Sequence, residues 1–411
     1  MMERRKALAL MVVLVVLSSS LSFYAGAADL VPRLSRYISY GGGEVAPRSS
    51  SPAEQNGVDQ VQIQRIQQYI QDKFLFPVSA EKLTEGALKG MVAATEDKYS
   101  AYYNPKEFEE FKNHFKGTFS GIGVHVEQSP KTGLVTVVRP IKGSPGEKAG
   151  MQAGDAIVEV DGKDIRGYKL EDAVQLIKGP EGTKVKLTVM REGVADPLSF
   201  EITRATIEYE YTSHRMIDSE VGYLQLTEFT EDVNVRVGSA IADMKAQGMT
   251  RLILDLRQNP GGLLDEAVAV SSYFVPTKTP IVFVESKGAP RETHVSRNMK
   301  DKWTGPLVVL VDENSASASE ITAGAIKDLK VGVLVGTKTF GKGIVQTFYN
   351  LPGGAGIKLT TARYLTAGGN SIHEKGIEPD VKVENPNKVL PGDPGDVQLE
   401  QAVQYIKGMK R

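Results

Sequence analysis

The 411 residues contain no cysteine. That excludes a thiol nucleophile, a disulfide framework and cysteine-ligated zinc, and is compatible with a cell-envelope protein that needs no oxidative folding. Histidine is sparse: His114, His125, His214, His294 and His373 are dispersed with no H-E-x-x-H pair, so the zinc-protease pattern is missing too. Neither sign of charge dominates. Lys and Arg number 49 against 50 Asp and Glu, a net charge of −1, so no basic field advertises nucleic acid. What is present is length, enough for two or three folded units.

The amino terminus reads as an export signal. Arg4, Arg5 and Lys6 precede an apolar run from Ala7 to Leu17, and Ala25-Gly26-Ala27 supplies the small residues of a cleavage site after Ala27. An uncleaved anchor competes, because the span from Ala7 to Ala27 approaches the roughly 20 residues that cross a bilayer. Either way the folded part is expected outside the cytoplasm, secreted or held at the outer face of the membrane. Residues 28–57, with Gly41-Gly42-Gly43 and Ser49-Ser50-Ser51-Pro52, read as a flexible linker. A helical region follows over 58–115: Ile63, Ile66, Ile70 and Phe74 mark one apolar face, Pro77 breaks it, and Ser79 opens a second helix through Leu83 and Met91. That face suits packing on the body or on a second subunit.

Residues 116–204 have a different texture, with short alternating strands and many glycines. Phe119-Ser120-Gly121-Ile122-Gly123-Val124 opens the stretch, SPGEKAG (Ser144–Gly150) and GDAIVEVDG (Gly154–Gly162) follow, and a helix from Leu170 and a strand from Lys184 complete it. A G-x-G alone is most often just a turn. From residue 205, after a linker around Ala205, strands and helices alternate: Val221–Leu226, then helix-spaced Val237, Ile241 and Met244, then the buried strand Leu252–Leu256. Alternation of this kind argues a layered α/β core over 205–385. Arg257-Gln258-Asn259-Pro260-Gly261-Gly262 follows that strand, and its glycines let a backbone approach a ligand closely; an ordinary strand-to-helix turn reads the same way. The tail, 386–411, carries an amphipathic helix from Val397 suited to docking or dimerisation.

Within the core, the strand Leu307–Val311 gives way through Asp312-Glu313-Asn314 to Ser315, Ser317 and Ser319 and then a helix. A serine at such a corner sits beside main-chain donors and the positive end of a helix dipole, which suits a nucleophile whose developing oxyanion needs hydrogen bonds. Ser317-Ala318-Ser319-Glu320 also fits S-x-x-E, a capping box in which the serine only satisfies a helix N–H. Further on, Lys342 stands between Gly341 and Gly343 just before an apolar strand-like run, Ile344–Phe348. Burial of its stem would lower its pKa towards that of a working general base; a solvated turn lysine is the plainer alternative. His373 with Asp380 has the residue types of a Ser-His-Asp triad, but Lys342 already supplies a base.

SASASE followed by TFGKGIVQ, with the lysine 25 positions after the middle serine, resembles the carboxyl-terminal processing peptidases, serine proteases with a Ser/Lys dyad. Residues 116–204 resemble a PDZ domain, a module that adds a peptide strand to its sheet edge and holds the terminal carboxylate with backbone N–H groups. The resemblance implies a multidomain α/β protein with a crotonase/Clp-protease-like core, an inserted PDZ domain and helical terminal segments. It assigns Ser317 as nucleophile, Lys342 as base and Gln346 as the residue that orients the lysine. DLRxNxGG implies an oxyanion hole from the N–H of Ala318 and of a glycine, Gly262 in the first place with Gly261 as the alternative. Gly121, Ile122, Gly123 and Val124 are the matching PDZ carboxylate loop. Expected partners are proteins or peptides with exposed apolar carboxyl termini and a second copy of the chain, with no nucleic acid; membrane association would run through the amino-terminal segment, and no metal or cofactor is implied. Two rivals fit less of the pattern: a non-catalytic PDZ scaffold, and a lipid- or acyl-handling hydrolase built on a Gly-Gly hole.

Overall fold

The structure, a computed structural model, describes residues 59–409 apart from 130 and 386–388. The export segment and linker expected over 1–57 lie outside the described residues. Two compact units are present. The smaller holds the described chain up to Phe108 together with Gln346–Thr361, and the larger holds Glu109–Val345 and the chain from Ala362 onward.

In the smaller unit, helices α1 (Gln60–Lys73) and α2 (Ala80–Ala93) start where polar caps allow it. Asp59 accepts the Gln62 N–H at 3.0 Å and Ser79 accepts that of Lys82 at 3.2 Å. The predicted apolar face of α1 exists and is open, with Ile66 59% and Phe74 55% exposed. Strand β1 (Ala101–Tyr103) pairs antiparallel with residues 356–358. Helix α3 (Pro105–Phe115), which periodicity had not marked, begins with Pro105 at its first position and a reciprocal pair: Asn104 and Glu107 each accept the other's N–H at 2.9 Å.

In the larger unit the chain first builds a small β-domain. Its elements are β2 (Thr118–Gly121), β3 (Val124–Gln128), β4 (Val135–Pro140), α4 (Pro145–Lys148), β5 (Ala156–Val160), β6 (Lys163–Asp164), α5 (Leu170–Ile177), β7 (Lys184–Met190), β8 (Leu198–Thr203) and β9 (Ala205–Glu208). The main sheet runs β3-β4-β5-β7-β8, with β3 at its edge. Alternation along β7 buries Val185, Leu187 and Val189 against Ile122, Ile157, Ala173 and Ile177. The linker expected around Ala205 is instead strand β9, which pairs antiparallel with β2, Gly121 opposite Ala205. Entry to and exit from this domain therefore form one two-stranded ribbon, a pairing that no local sequence signal announces.

The core follows as β10 (Thr212–Met216), β11 (Val221–Leu226), α6 (Val233–Ala246), β12 (Arg251–Asp255), α7 (Leu264–Ser271), β13 (Pro280–Ser286), β14 (Glu292–Val295), β15 (Leu307–Val311), α8 (Ala318–Asp328), β16 (Val333–Gly336), β17 (Ile344–Asn350), β18 (Gly356–Thr366), β19 (Val381–Lys382) and α9 (Val397–Gly408). The central sheet is ordered β10-β11-β12-β15-β16-β19 and is parallel from β11 to β19. Strands β12 and β15 are buried at every residue, as a parallel sheet covered on both faces requires. One face packs on α6, α7 and α8. The other is covered by Leu399, Ala402 and Ile406 of α9. Because β12 and β15 are neighbours in parallel register, Asp255 opposite Leu310, the loops that leave them emerge side by side at the carboxyl ends of the strands, where open α/β sheets place their ligand sites.

Candidate active site

Ser317 stands at the corner between β15 and α8 with φ 53° and ψ −111°. An ordinary helix cap has extended dihedrals. This backbone is in a sparsely populated region for a residue with a side chain, a strain of about 1–3 kcal/mol that the surroundings must enforce. They do so with buried hydroxyls on either side. Ser315 Oγ donates to the Leu256 carbonyl at 2.8 Å and accepts the Asp312 N–H at 2.9 Å, while Ser319 Oγ donates to the Asn259 carbonyl at 2.9 Å. Ser315 and Ser319 are fully buried, and Ser317 alone of the three is partly open. Ser317 and Glu320 have the layout of a capping box; the Glu320 carboxylate accepts the Ser317 N–H at 2.9 Å, but the Ser317 hydroxyl makes no cap hydrogen bond.

The loop after β12 lies directly against this corner. A Cβ on Gly261 would stand 2.7 Å from Ser317 Cβ and 2.9 Å from the Ala318 nitrogen, and Gly261 has φ +109°. Only glycine permits that approach. The Gly261 N–H is already donated to Asn259 Oδ1 at 2.9 Å, and its carbonyl accepts the Phe229 N–H at 2.8 Å. Since C=O and N–H point oppositely across a trans peptide, the N–H of Gly262 is turned away from Phe229. Asn259 fixes both loops, donating through Nδ2 to the Leu226 carbonyl at 2.8 Å and accepting the Ala316 N–H on its own carbonyl at 3.0 Å. Gln258 (φ 60°) joins them again: its N–H and side-chain amide donate to Asp312, whose carboxyl burial pushes up.

Lys342 is half-buried in the loop just before β17, where its sequence context places it. Its N–H donates to Glu320 Oε2 at 2.9 Å, the same oxygen that accepts the Ser317 N–H. The two main-chain nitrogens thus lie within twice that distance of each other. Gln346 belongs to the smaller unit, on β17, where its Nε2 reaches Thr360 Oγ1 at 3.5 Å. Asp380 is committed elsewhere: it binds Lys327 Nζ at 2.8 Å and accepts the Leu334 N–H at 2.8 Å. His373 Nδ1 is buried with no hydrogen-bond partner among the described residues, so no His–Asp pair forms here.

In the small β-domain, Ile122 and Gly123 connect β2 to the edge strand β3. Their carbonyls accept the N–H groups of Gly146 (2.7 Å) and Ile141 (2.9 Å), which turns the N–H groups of Gly123 and Val124 the other way. Gly123 has φ +71°, and a Cβ there would stand 2.3 Å from Ser144 Cβ.

Known proteins share this organisation. Residues 220–383 match peptidase family S41, residues 136–191 match the PDZ domain, and residues 40–107 match the activating protease CtpB N-terminal domain. Carboxy-terminal processing protease CtpA of Bacillus subtilis is 41% identical over 307 residues, 75% of this chain and 65% of that protein. The carboxyl-terminal-processing protease of Synechocystis sp. is 35% identical over 338 residues, 81% of this chain and 79% of that one. The chain belongs to the carboxyl-terminal processing proteases. A crystal structure from Bacteroides fragilis named for family S41 has the same fold, with a TM-score of 0.54 at 17% identity, covering 88% of this chain and 100% of that one.

Several residues that build the site in this carboxyl-terminal processing protease were not singled out by sequence reasoning. Asn259 and Gln258 stood in the DLRxNxGG stretch with no role of their own given to them, and Tyr364, whose hydroxyl donates to the Ser317 carbonyl at 3.0 Å, is separated from it by 47 residues. Burial holds the Tyr364 phenol well above its ordinary pKa, with the Glu320 charge adding to it, so it remains a donor. Arg257 is buried and donates to Asp255, Asp396 and Gln398 at 2.6–3.1 Å, tying the glycine loop to α9; the two carboxylates outweigh burial and raise its pKa. The DLR in DLRxNxGG was its signal.

Proposed function

We propose that this chain is an extracytoplasmic serine endopeptidase that takes proteins by an apolar carboxyl-terminal tail and cuts them through Ser317 and Lys342. The observation that carries the reading is the corner itself: a strained, partly open Ser317 with the Ala318 nitrogen packed against Gly261, and the Lys342 main chain bound by the same carboxylate that binds Ser317. Neutral Lys342 takes the Ser317 proton as Oγ attacks a peptide carbonyl, with Gln346 orienting the amine. The N–H groups of Ala318 and Gly262 receive the oxyanion, the lysine then protonates the leaving amine, and water hydrolyses the acyl-enzyme. Gly262 is preferred to Gly261 because the Gly261 N–H is already bound to Asn259.

The tail docks on the PDZ domain. Gly121, Ile122, Gly123 and Val124 hold its carboxylate, and the free edge of β3 accepts it as an added strand; its arrival switches the core between inactive and active arrangements. The exposed apolar face of α1 supports a homodimer, with α9 the other expected contributor, and residues 1–27 export the chain or anchor it.

The test is cleavage of an unfolded protein bearing an apolar tail by wild type, Ser317→Ala and Lys342→Ala. Wild type is expected to cut and both variants to be silent while still folded. Turnover by either variant at the wild-type rate would show the nucleophile or base to be misassigned.

A further inference from the structure

Glu320 enters the sequence as the fourth residue of a capping box, and a cap needs only the Ser317 N–H. The buried side chain does more. Oε2 accepts the N–H of Ser317 and of Lys342, each at 2.9 Å, while Oε1 accepts the Gly341 N–H at 2.8 Å and the Thr339 hydroxyl at 2.5 Å. Three of its four donors therefore come from the TFGKG loop, remote in sequence from the helix it caps. Thr339 Oγ1 is held in turn by the Ile377 N–H at 2.7 Å.

We propose that Glu320 is a positioning residue of the dyad, a single carboxylate that fixes the main chain of nucleophile and base against each other. The proposal rests on the Ser317/Lys342 reading above. Lys342 lies between two glycines, and Gly341 has φ +91°, so its own sequence gives its backbone little stiffness. The carboxylate supplies that stiffness from outside the loop. Its chemistry suits that role, because with two donors on each oxygen it acts only as an acceptor. An amide of the same shape fails, since its NH2 group would face N–H donors whichever way it turned. Burial raises the Glu320 pKa even though the four hydrogen bonds pull it down; a group so costly to bury is more than a simple cap requires.

The experiment uses the full chain and compares wild type, Glu320→Gln and Thr339→Val, with Ser317→Ala as the blank. Four quantities are read: kcat and KM on the tailed unfolded protein, affinity for a fluorescent tail peptide, and the melting transition. For Glu320→Gln, kcat is expected to fall on the order of 100-fold, the effect of a small misplacement of reacting groups. KM and tail affinity should stay within about threefold with melting still cooperative, since only transition-state alignment is lost. Thr339→Val, which removes one donor, should lose about tenfold in kcat. A folded Glu320→Gln with wild-type kcat overturns the proposal, as does a loss of kcat matched by equal losses of tail affinity and cooperativity. Should Glu320→Gln not fold, Thr339→Val decides: wild-type kcat there overturns the proposal. An active Glu320→Gln beside a silent Ser317→Ala sinks only the positioning role; a wild type that does not cut, or a Ser317→Ala that does, sinks the dyad and this inference with it.

Discussion

The closest tolerance in the site belongs to Gly261. Its missing side chain is the space in which the Ser317 and Ala318 main chain sits, and its φ of +109° is strained for any L-residue. Gly261→Ala must therefore move one of the two loops, and since misplacement by about 1 Å can cost 100-fold in rate, peptide cleavage should drop by at least that factor while tail binding by the PDZ domain is unchanged. Retention of more than about a tenth of wild-type kcat/KM would contradict the packing. Ser317 and Lys342 could be named as candidates from the sequence because their types and spacing are carried by short motifs. Asn259, Tyr364 and the wider use of Glu320 were not, because each acts through partners that only the fold brings near.

Among the elements, the strongly patterned ones were readable: β15 and β7 from apolar runs and alternation, α1 and α2 from spacing and caps. Helix α3 and strand β9 were not. The first is set by a local Asn104–Glu107 exchange, and the second is a strand only because β2 lies beside it. Helix α9 depends on Asp396, its N-cap, which accepts the Leu399 N–H and binds Arg257 Nη1 and Nη2 at 2.7 and 2.6 Å. Removing one partner of a buried ion pair costs about 3–5 kcal/mol. Asp396→Ala should approach the lower figure, because Arg257 keeps Asp255, and the loss is read from the denaturant midpoint of the core; a change under about 1 kcal/mol would refute the clamp. The edge strand β3 offers a pH test. Local desolvation on the sheet edge, and then the charge of Arg139, lower the pKa of His125 from 6.5, although its side chain is exposed to solvent and the effect on stability is therefore small. The unfolded chain therefore binds the proton more readily, so this contribution to stability is whole above 6.5 and is lost as the pH falls towards the lowered folded value. His125→Gln should lose less melting temperature than wild type between pH 7.5 and 5; equal losses would rule out this role.

Within the larger unit, the inserted domain hangs on the β2–β9 ribbon, so residues 122–204 branch from the rest of the chain and rejoin it at one place. The multidomain α/β architecture was legible because its parts differ in texture: glycine-rich alternation in the PDZ domain, continuous apolar strands in the core. The central claim, that this architecture presents one activated serine, is tested most directly by labelling the intact protein with a small fluorophosphonate and mapping the adduct by mass spectrometry. A single adduct on Ser317 is predicted, with none in Ser317→Ala, and labelling slowed on the order of 100-fold or more in Lys342→Ala, as loss of a general base implies. An adduct on another residue, or equal labelling with and without Lys342, would contradict it.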